Sequence, residues 1–240
     1  ESGIAFPTGI SINNCAAHYT PNPGDETVLK YDDVCKVDFG TQIQGRIIDT
    51  AFTVAFNPVY DNLLKAVQDA TNTGIKEAGI EQDSLKSGKE SSKPWSPTSL
   101  DQWKGPPSQG RQEPQWTLID SYKIHGGKTV PCVKTNTNVK MEEGELYAIE
   151  TFGSTGKGYV KEEGDCSHYM KDFYLPANVK IPARSKAFYN YISENVTYFV
   201  NSVQHIVLLK RWLEKEGVPA YILPLRDLVQ NGIINPYPPL

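Results

Sequence analysis

The sequence predicts a mixed α/β (α+β) protein, and three patterns lead to this class. Apolar and polar residues alternate over about 34 to 56, which is typical of a β-hairpin. Apolar residues at helical spacing over about 58 to 78 predict an amphipathic helix that covers the sheet. After His168, three more amphipathic stretches predict helices, in "SKAFYNYISENV", "IVLLKRWLEKEG" and "ILPLRDLVQNG". We therefore expect helices packed on a sheet.

The predicted hairpin consists of "VCKVDFGTQI" and "GRIIDTAFTVAF", joined by a turn in the polar "QIQG". A first strand precedes it in "GIAFPTGISIN", and a later strand lies in "GELYAIETFGS". In the later strand, Glu150 shares a face with Leu146 and Ala148 because side chains alternate. One face of the hairpin collects apolar side chains, namely Val37, Phe39, Ile48, Phe52, Val54 and Phe56.

The composition is that of a soluble globular chain of one large domain or two small ones. The 240 residues are 39% apolar and carry a net charge of -4. Such a balance offers no cationic surface for nucleic acid or for an anionic membrane, so we expect neither partner. The four cysteines are widely spaced and form no C-x-x-C pair, which favours reduced thiols and a cytoplasmic location.

The segment over 81 to 120 differs from the rest of the chain. It is rich in Ser, Pro, Gly and Lys and has neither strand nor helix periodicity, so we expect it to be irregular. A structureless segment of this length inside a compact domain is unusual, which suggests that the segment is aberrant. The last residues, "INPYPPL", predict a proline-rich loop.

Two aspartates in the hairpin strands predict a metal site. With the turn centred between Ile43 and Gln44, Asp38 lies opposite Asp49 on the same face. Two carboxylates at this spacing repel each other unless a proton or a cation lies between them. Glu150 from another strand would add an oxygen ligand of the type that suits manganese, iron, cobalt or zinc. From spacing alone, solvated aspartates at strand ends remain the other interpretation.

Three of the four histidines lie in segments of unusual composition. They are His18 in "NNCAAHYTP", His125 in "KIHGGKTVP" and His168 in "DCSHYMK". A single histidine is more often structural than functional. Beside a metal site, however, imidazoles could hold a substrate or transfer protons.

Five blocks resemble eukaryotic type 2 methionine aminopeptidases: "GIAFPTGISINNCAAHYTPNPGD", "KVDFGTQIQGRIIDTAFTV", "IHGGKTVP", "YAIETFGSTGKG" and "CSHYMK". The resemblance implies the pita-bread fold, pseudo-twofold and built around two divalent metal ions (Co, Mn, Fe or Zn). It implies one peptidase domain over 1–240, with the helical type 2 insertion over about 170–236. It also implies removal of the initiator methionine from nascent polypeptide N-termini, in association with the ribosome.

Carried over by position, the resemblance makes Asp38, Asp49 and Glu150 metal ligands. A water that bridges the metals would attack the scissile carbonyl. His18 is similar to the substrate-pocket histidine that fumagillin-type epoxides modify. His125 and His168 are similar to the active-site histidines that contact the substrate and the transition state.

The sequence departs from the family pattern at two ligands. Thr117 stands where the family has a histidine in an "N-L-N-G-H" segment, and the second glutamate would lie beyond Leu240. The family's catalytic domain also begins before Glu1, so we expect a fold truncated at both ends. "EPQWTL" can be encoded so that reading one nucleotide later gives N-L-N-G-H, which suggests a partly frame-shifted copy.

These departures leave three interpretations. The first is an aminopeptidase whose activity is impaired because two of five metal ligands are missing. The second is a non-catalytic pita-bread protein that binds ribosomes, RNA or protein partners. The third is a chain without a stable fold, since truncation would leave strand edges unpaired.

Overall fold

The computed structural model describes residues 2–79, 115–131, 139–156, 158–172, 174–175, 178–195 and 207–240. The chain divides into two compact units. The first unit contains Glu1–Leu29, Cys35–Phe52 and Glu162–Leu240, and the second contains Lys30–Val34 and Thr53–Lys161. No helix among these described residues is both long enough and apolar enough to cross a membrane.

The first unit opens with a three-stranded sheet in the order β1-β2-β3, formed by β1 (Ser2–Ile12), β2 (Val34–Ile43) and β3 (Arg46–Ala55). β1 and β2 pair antiparallel, with two register shifts between Ile4 and Gly9. A proline lies in this irregular stretch and cannot donate a ladder hydrogen bond. The first strand and the hairpin predicted over 34 to 56 are confirmed.

Gln44 and Gly45 form the turn between β2 and β3, and both have positive φ, 49° and 77°. Two consecutive positive φ values are typical of a type I′ turn, whose twist matches that of the strands. The buried side chain of Gln42 accepts a hydrogen bond from the Gly45 amide at 2.9 Å. The sequence predicted the centre of this turn between Ile43 and Gln44, whereas the structure places it between Gln44 and Gly45. With the observed turn, regular pairing makes Asp38 and Asp49 diagonal neighbours on one face rather than directly opposite residues.

A second sheet of the first unit has β7 (His168–Lys171) at its centre. β8 (Val207–Leu209) and β9 (Ile234–Pro236) pair with it on either side, both antiparallel. β9 begins the segment for which the sequence predicted only a loop. Pro236 is compatible with it because β9 is an edge strand of this sheet.

Three helices pack beside this second sheet: α2 (Lys186–Asn195), α3 (Lys210–Lys215) and α4 (Ile222–Gln230). They correspond to the three predicted helical stretches, but the second begins later than expected. Its first apolar residues, Val207 to Leu209, form β8 because all three are buried and pair with β7. An apolar run that is buried on every side shows no alternation of apolar and polar residues, so its sequence does not distinguish a strand from a helix.

The helices and β strands of this region share one hydrophobic core. Its buried members are Tyr169, Phe188, Ile192, Leu208, Leu213, Tyr221, Leu225, Leu228, Ile233 and Ile234. On α4, Leu228 faces this core and is fully buried, whereas Leu223 is 61% exposed. The helix is therefore held by one apolar face, as its amphipathic sequence predicts.

The second unit contains α1 (Asp61–Glu77) and a sheet in the order β5-β4-β6, formed by β4 (Gln115–Ile119), β5 (Thr129–Pro131) and β6 (Leu146–Glu150). The helix predicted over 58 to 78 is confirmed, after a short 3₁₀ turn at Pro58–Tyr60. α1 packs on β6 so closely that a Cβ at Gly74 would lie 2.2 Å from the Ile149 side chain.

β4 corrects the expectation that residues 81 to 120 are irregular throughout. Its five residues lie between β5 and β6, and Trp116 is only 2% exposed. Trp116 packs in a cluster with Met141, so burial of one large aromatic side chain orders a stretch whose surroundings are polar. The rest of the segment, residues 81–114, lies outside the described residues.

We expect Leu228→Ala to lower the free energy of unfolding by about 2–5 kcal/mol, because it removes buried methyl groups and leaves a cavity in the core. Urea denaturation of the two proteins measures this difference. Leu223→Ala on the same helix is the matched control and should change stability by less than about 0.5 kcal/mol. Equal effects of the two substitutions would contradict the packing described for α4.

Candidate active site

Asp38 and Asp49 form a carboxyl pair on one face of the first sheet. Asp38 lies on β2 opposite Gly9 of β1, and Asp49 lies on β3. The two carboxyl groups are close enough to share a hydrogen bond. One oxygen of Asp38, Oδ1, is buried and has no hydrogen-bond partner in the structure. The two aspartates of the hairpin therefore lie close together, and one of their oxygens is without a hydrogen-bond partner.

Keeping the two carboxyl groups close together costs electrostatic free energy. Burial, and then the negative charge of Asp49, raise the pKa of Asp38 to about 7 from its ordinary value of 3.8. Burial also raises the pKa of Asp49, although its side chain reaches the surface. Near neutral pH the two groups thus tend to retain a proton between them. A cation that replaced this proton would relieve the same repulsion.

The backbone that follows His18 lies against β1, close to Asp38. The carbonyl of the following residue, Tyr19, accepts a hydrogen bond from Ile10 at 2.7 Å. That carbonyl and the Cβ of Asp38 both lie within 3.7 Å of the position where Gly9 would carry a side chain. His18 itself has φ of 65°, in the left-handed region, which histidine visits more often than most residues. Non-glycine residues with positive φ recur at functional sites.

His168 and Tyr237 complete a cluster of three rings with His18. The His18 and His168 rings meet edge to face, with centroids 6.2 Å apart. Tyr237 stacks on His168 at 5.7 Å and meets His18 edge-on at 5.6 Å. The Oγ of Ser167 lies 3.0 Å from Nδ1 of His168. Residues 18 and 168, far apart in sequence, therefore lie close together.

Both imidazoles of the cluster are neutral at neutral pH. Burial, and to a lesser degree the charges of His18 and Arg211, lower the pKa of His168 to about 3. Burial also lowers the pKa of His18. Nδ1 of His18 lies 3.2 Å from the carbonyl oxygen of Pro238, which can only accept, so Nδ1 carries the proton. Nε2 of His18 is then left as a hydrogen-bond acceptor.

Glu150 and the position of the missing histidine lie in the second unit, on one sheet. Thr117 of β4 pairs with Ala148 of β6, two residues before Glu150 on the same face. That spacing sets the two positions about 7 Å apart along the sheet. Glu150 and His125 are both exposed, His125 in the loop between β4 and β5. A histidine at position 117 would thus share a face with Glu150, and a threonine stands there instead.

The carboxyl pair of the first unit fits a divalent cation, because Asp38 Oδ1 is a buried oxygen without a partner. Oxygen ligands of this kind suit magnesium or manganese, and with imidazole also iron, cobalt or zinc. Among the residues that the structure describes, however, no group of three or more His, Cys, Asp or Glu side chains could hold a metal. The roles predicted for Asp38, Asp49, Glu150, His18, His125 and His168 remain predictions.

Sequence reasoning missed Tyr237, Pro238 and Ser167 as members of the site. Tyr237 and Pro238 belong to "INPYPPL", where only the prolines gave a signal, for a stiff loop. Their contacts with His18 and His168 arise from tertiary packing, which no local pattern reports. Ser167 lies inside the quoted "CSHYMK" block, so its position beside His168 could have been noticed.

Comparison with known proteins supports the same family. The Metallopeptidase family M24 matches residues 1–85. Methionine aminopeptidase 2 of Paracoccidioides brasiliensis is 47% identical over the whole chain, and that of Kluyveromyces lactis is 49% identical. Methionine aminopeptidase 2A of Arabidopsis thaliana is 46% identical. The chain spans about half the length of these relatives, 53% to 56%.

Among solved structures, that of a thermophilic Arx1 matches the whole chain and 69% of its own length, with a TM-score of 0.67. At 20% sequence identity this likeness concerns the fold alone. The sequence matches support a place for the chain among the M24 metallopeptidases, and the structural likeness agrees with a mixed α/β pita-bread fold. Within that family its sequence is similar to eukaryotic proteins named methionine aminopeptidase 2.

We expect the His168 imidazole to stay neutral when the pH is lowered from 7 to 5, because burial lowers its pKa to about 3. The unfolded chain takes up a proton near 6.5, so the stability that neutral His168 contributes is lost as the pH falls from 6.5 toward 3. NMR titration of the ring measures the pKa directly. His125→Gln, at an exposed position, is the control for assignment and stability. A His168 midpoint near 6.5 would contradict the burial described.

We expect manganese binding to release a proton from the carboxyl pair, because the pKa of Asp38 is raised to about 7. The affinity for manganese should therefore rise with pH and level off above a pH of about 7. Calorimetry in two buffers of different ionisation enthalpy counts the protons. Asp38→Asn should abolish this proton release, whereas Asp25→Asn, at an exposed site of the same unit, should not. A manganese affinity that does not change with pH would contradict this interpretation.

Proposed function

We propose that the chain is a methionine aminopeptidase, which removes the N-terminal methionine from nascent polypeptides in the cytoplasm. The observation that supports this most directly is that one unit carries both the Asp38–Asp49 pair and the His18–His168 cluster. Its relatives of about 47% identity carry that name. Ribosome association and nascent N-termini as partners belong to the same proposal.

In this proposal the residues of the first unit have separate tasks. Asp38 and Asp49 would hold the divalent cations. The bound cations would polarise the scissile carbonyl and lower the pKa of a water molecule. His18 offers Nε2 as an acceptor for a substrate amine or amide N–H, since its Nδ1 is held by Pro238.

His168 contributes a neutral ring fixed against Tyr237. A neutral imidazole beside cations adds no positive charge that would repel them, and it can still donate or accept one hydrogen bond. The rings of His18, His168 and Tyr237 provide apolar surface for an uncharged side chain such as that of methionine. His125 is proposed as a further contact to the substrate.

We propose further that this chain is an impaired member of the family. Thr117 cannot supply the imidazole that the family pattern has at that position. Loss of a directly coordinating ligand should exceed the roughly 10–100-fold cost known for residues that only support ligands. The proposal includes two bound divalent metal ions, of cobalt, manganese, iron or zinc.

We expect methionine release from a Met-Ala-Ser peptide to be near zero with added manganese or cobalt, because the ligand set is incomplete. Liquid chromatography of free methionine measures it, with a folded Asp49→Asn variant as the background. Thr117→His restores the missing imidazole next to Glu150 and should raise the rate at least tenfold above that background. Turnover of the original chain that is lost in Asp49→Asn would contradict the impairment but support the function.

A second candidate is a non-catalytic pita-bread protein that binds ribosomes, RNA or protein partners. Thr117 and the absence of a three-residue metal group among the described residues favour it. The net charge of -4 weighs against direct RNA binding. If the purified chain carries no divalent metal and Thr117→His gains no activity, yet the chain pellets with ribosomes, the second candidate replaces the first.

A further inference from the structure

The hydroxyl group of Ser167 has one hydrogen-bond partner in the described part of the chain, and that partner is the ring of His168. The two atoms, Ser167 Oγ and His168 Nδ1, lie 3.0 Å apart. Ser167 is 2% exposed and His168 is 5% exposed. Burial of this degree keeps bulk water away from the contact, so the hydroxyl and the ring nitrogen must satisfy each other.

The backbone that carries this contact is held on both sides. The Ser167 carbonyl accepts a hydrogen bond from the Lys210 amide at 3.0 Å, and the His168 carbonyl accepts one from the Tyr237 amide at 3.2 Å. The thiol of Cys166 also donates to the His168 carbonyl, at 3.1 Å. The His168 ring stacks on Tyr237 with an interplanar angle of 11°. The neighbouring chain therefore keeps the hydroxyl and the ring together.

The direction of this hydrogen bond follows from the donors that are available. A hydroxyl has one O–H donor, and a neutral imidazole has one protonated and one bare nitrogen. If Nδ1 of His168 donated its proton to Oγ, the buried O–H of Ser167 would have no acceptor among the described residues. A buried donor without an acceptor is unfavourable.

The opposite direction leaves no buried donor without an acceptor. Ser167 then donates to a bare Nδ1, and the ring proton lies on Nε2. In the described part of the chain, the buried side-chain nitrogen and oxygen atoms that lack a partner belong to Asn22, Asp38 and Trp116. Nε2 of His168 is not one of them, so a proton on this nitrogen can meet solvent or a ligand.

We propose that Ser167 is a positioning residue that holds the proton of the His168 ring on Nε2 by donating a hydrogen bond to Nδ1. The inference deepens the proposed function and rests on it, because it gives Ser167 a task in the same site. His168 is thereby fixed as an N–H donor toward the site, and it selects an oxygen of a bound molecule rather than an N–H group.

His18 carries its proton on the other nitrogen, because its partner is a carbonyl. The Pro238 carbonyl can only accept, so the proton stays on Nδ1 of His18 and Nε2 is an acceptor. Burial lowers the pKa of both imidazoles, so each ring carries a single proton at neutral pH. Their centroids lie 6.2 Å apart. Two rings of opposite tautomer suit a ligand that offers an acceptor and a donor, as an amide does.

Long-range proton–nitrogen NMR correlation on the isotopically labelled full chain at neutral pH tests the proposal without any substrate. The bare and the protonated nitrogen of a neutral imidazole resonate far apart, so the spectrum reports the tautomer directly. In the original chain, His168 should have a bare Nδ1 and a protonated Nε2, whereas His18 should show the reverse. A protonated Nδ1 in His168 overturns the proposal.

Variants of Ser167 test whether its hydroxyl holds the tautomer. Ser167→Ala removes the donor, so the two nitrogens of His168 should move toward averaged chemical shifts as both tautomers become populated. Ser167→Thr keeps the hydroxyl and should keep the original pattern. Ser185→Ala is the matched control, because it removes another buried hydroxyl of the same unit, which donates to Asp227 at 2.9 Å. It should leave the His168 shifts unchanged.

Unchanged His168 shifts in Ser167→Ala overturn the proposal, since the ring then keeps its tautomer without the hydroxyl. An equal change in Ser185→Ala also overturns it, because general loosening of the unit would then be the cause. Should Ser167→Ala fail to fold, Ser167→Cys replaces it, with nearly the same shape and a weaker donor. The readout needs no turnover, so it is independent of the methionine-release assay that tests the proposed function.

Discussion

The candidate site depends on the segment of residues 233–240, which joins parts of the chain that are distant in sequence. Its backbone bonds to β7 at His168, to the loop before His18 at Ala16 and Ala17, and to Glu163. The Pro238 carbonyl fixes the ring of His18, and Tyr237 lies against both histidines. The segment therefore contributes to the orientation of both imidazoles, together with the contact of His168 with Ser167.

The elements with strong periodicity could be predicted from the sequence, and those fixed by tertiary contacts could not. The β2–β3 hairpin and α1 each follow a clear alternating or helical pattern. β8 was assigned to a helix because a fully buried apolar run has no period. β4 could not be predicted because polar residues surround Trp116 in the sequence. The strands that pair with β4 also lie further along the chain.

The same distinction applies to the site. Asp38 and Asp49 are both local to one hairpin, so their proximity followed from strand geometry, and only the turn position was wrong. The proximity of His18 and His168 followed from resemblance and not from any local pattern. Tyr237 carried no signal and Pro238 only that of a stiff loop, because their contacts with His18 and His168 arise from tertiary packing. Charge and burial then determine the chemistry: burial keeps His168 neutral, and burial together with the charge of Asp49 leaves Asp38 sharing a proton.

The hydrogen bond between His18 and Pro238 spans 220 positions of the sequence, which has a consequence for synthesis. At roughly 5–20 residues per second, a ribosome takes roughly ten to forty seconds between these two residues. During that interval β1, β2 and β3 can pair, but the pocket that orients His18 does not exist. The hairpin can therefore form well before His18 acquires the carbonyl partner that fixes its ring.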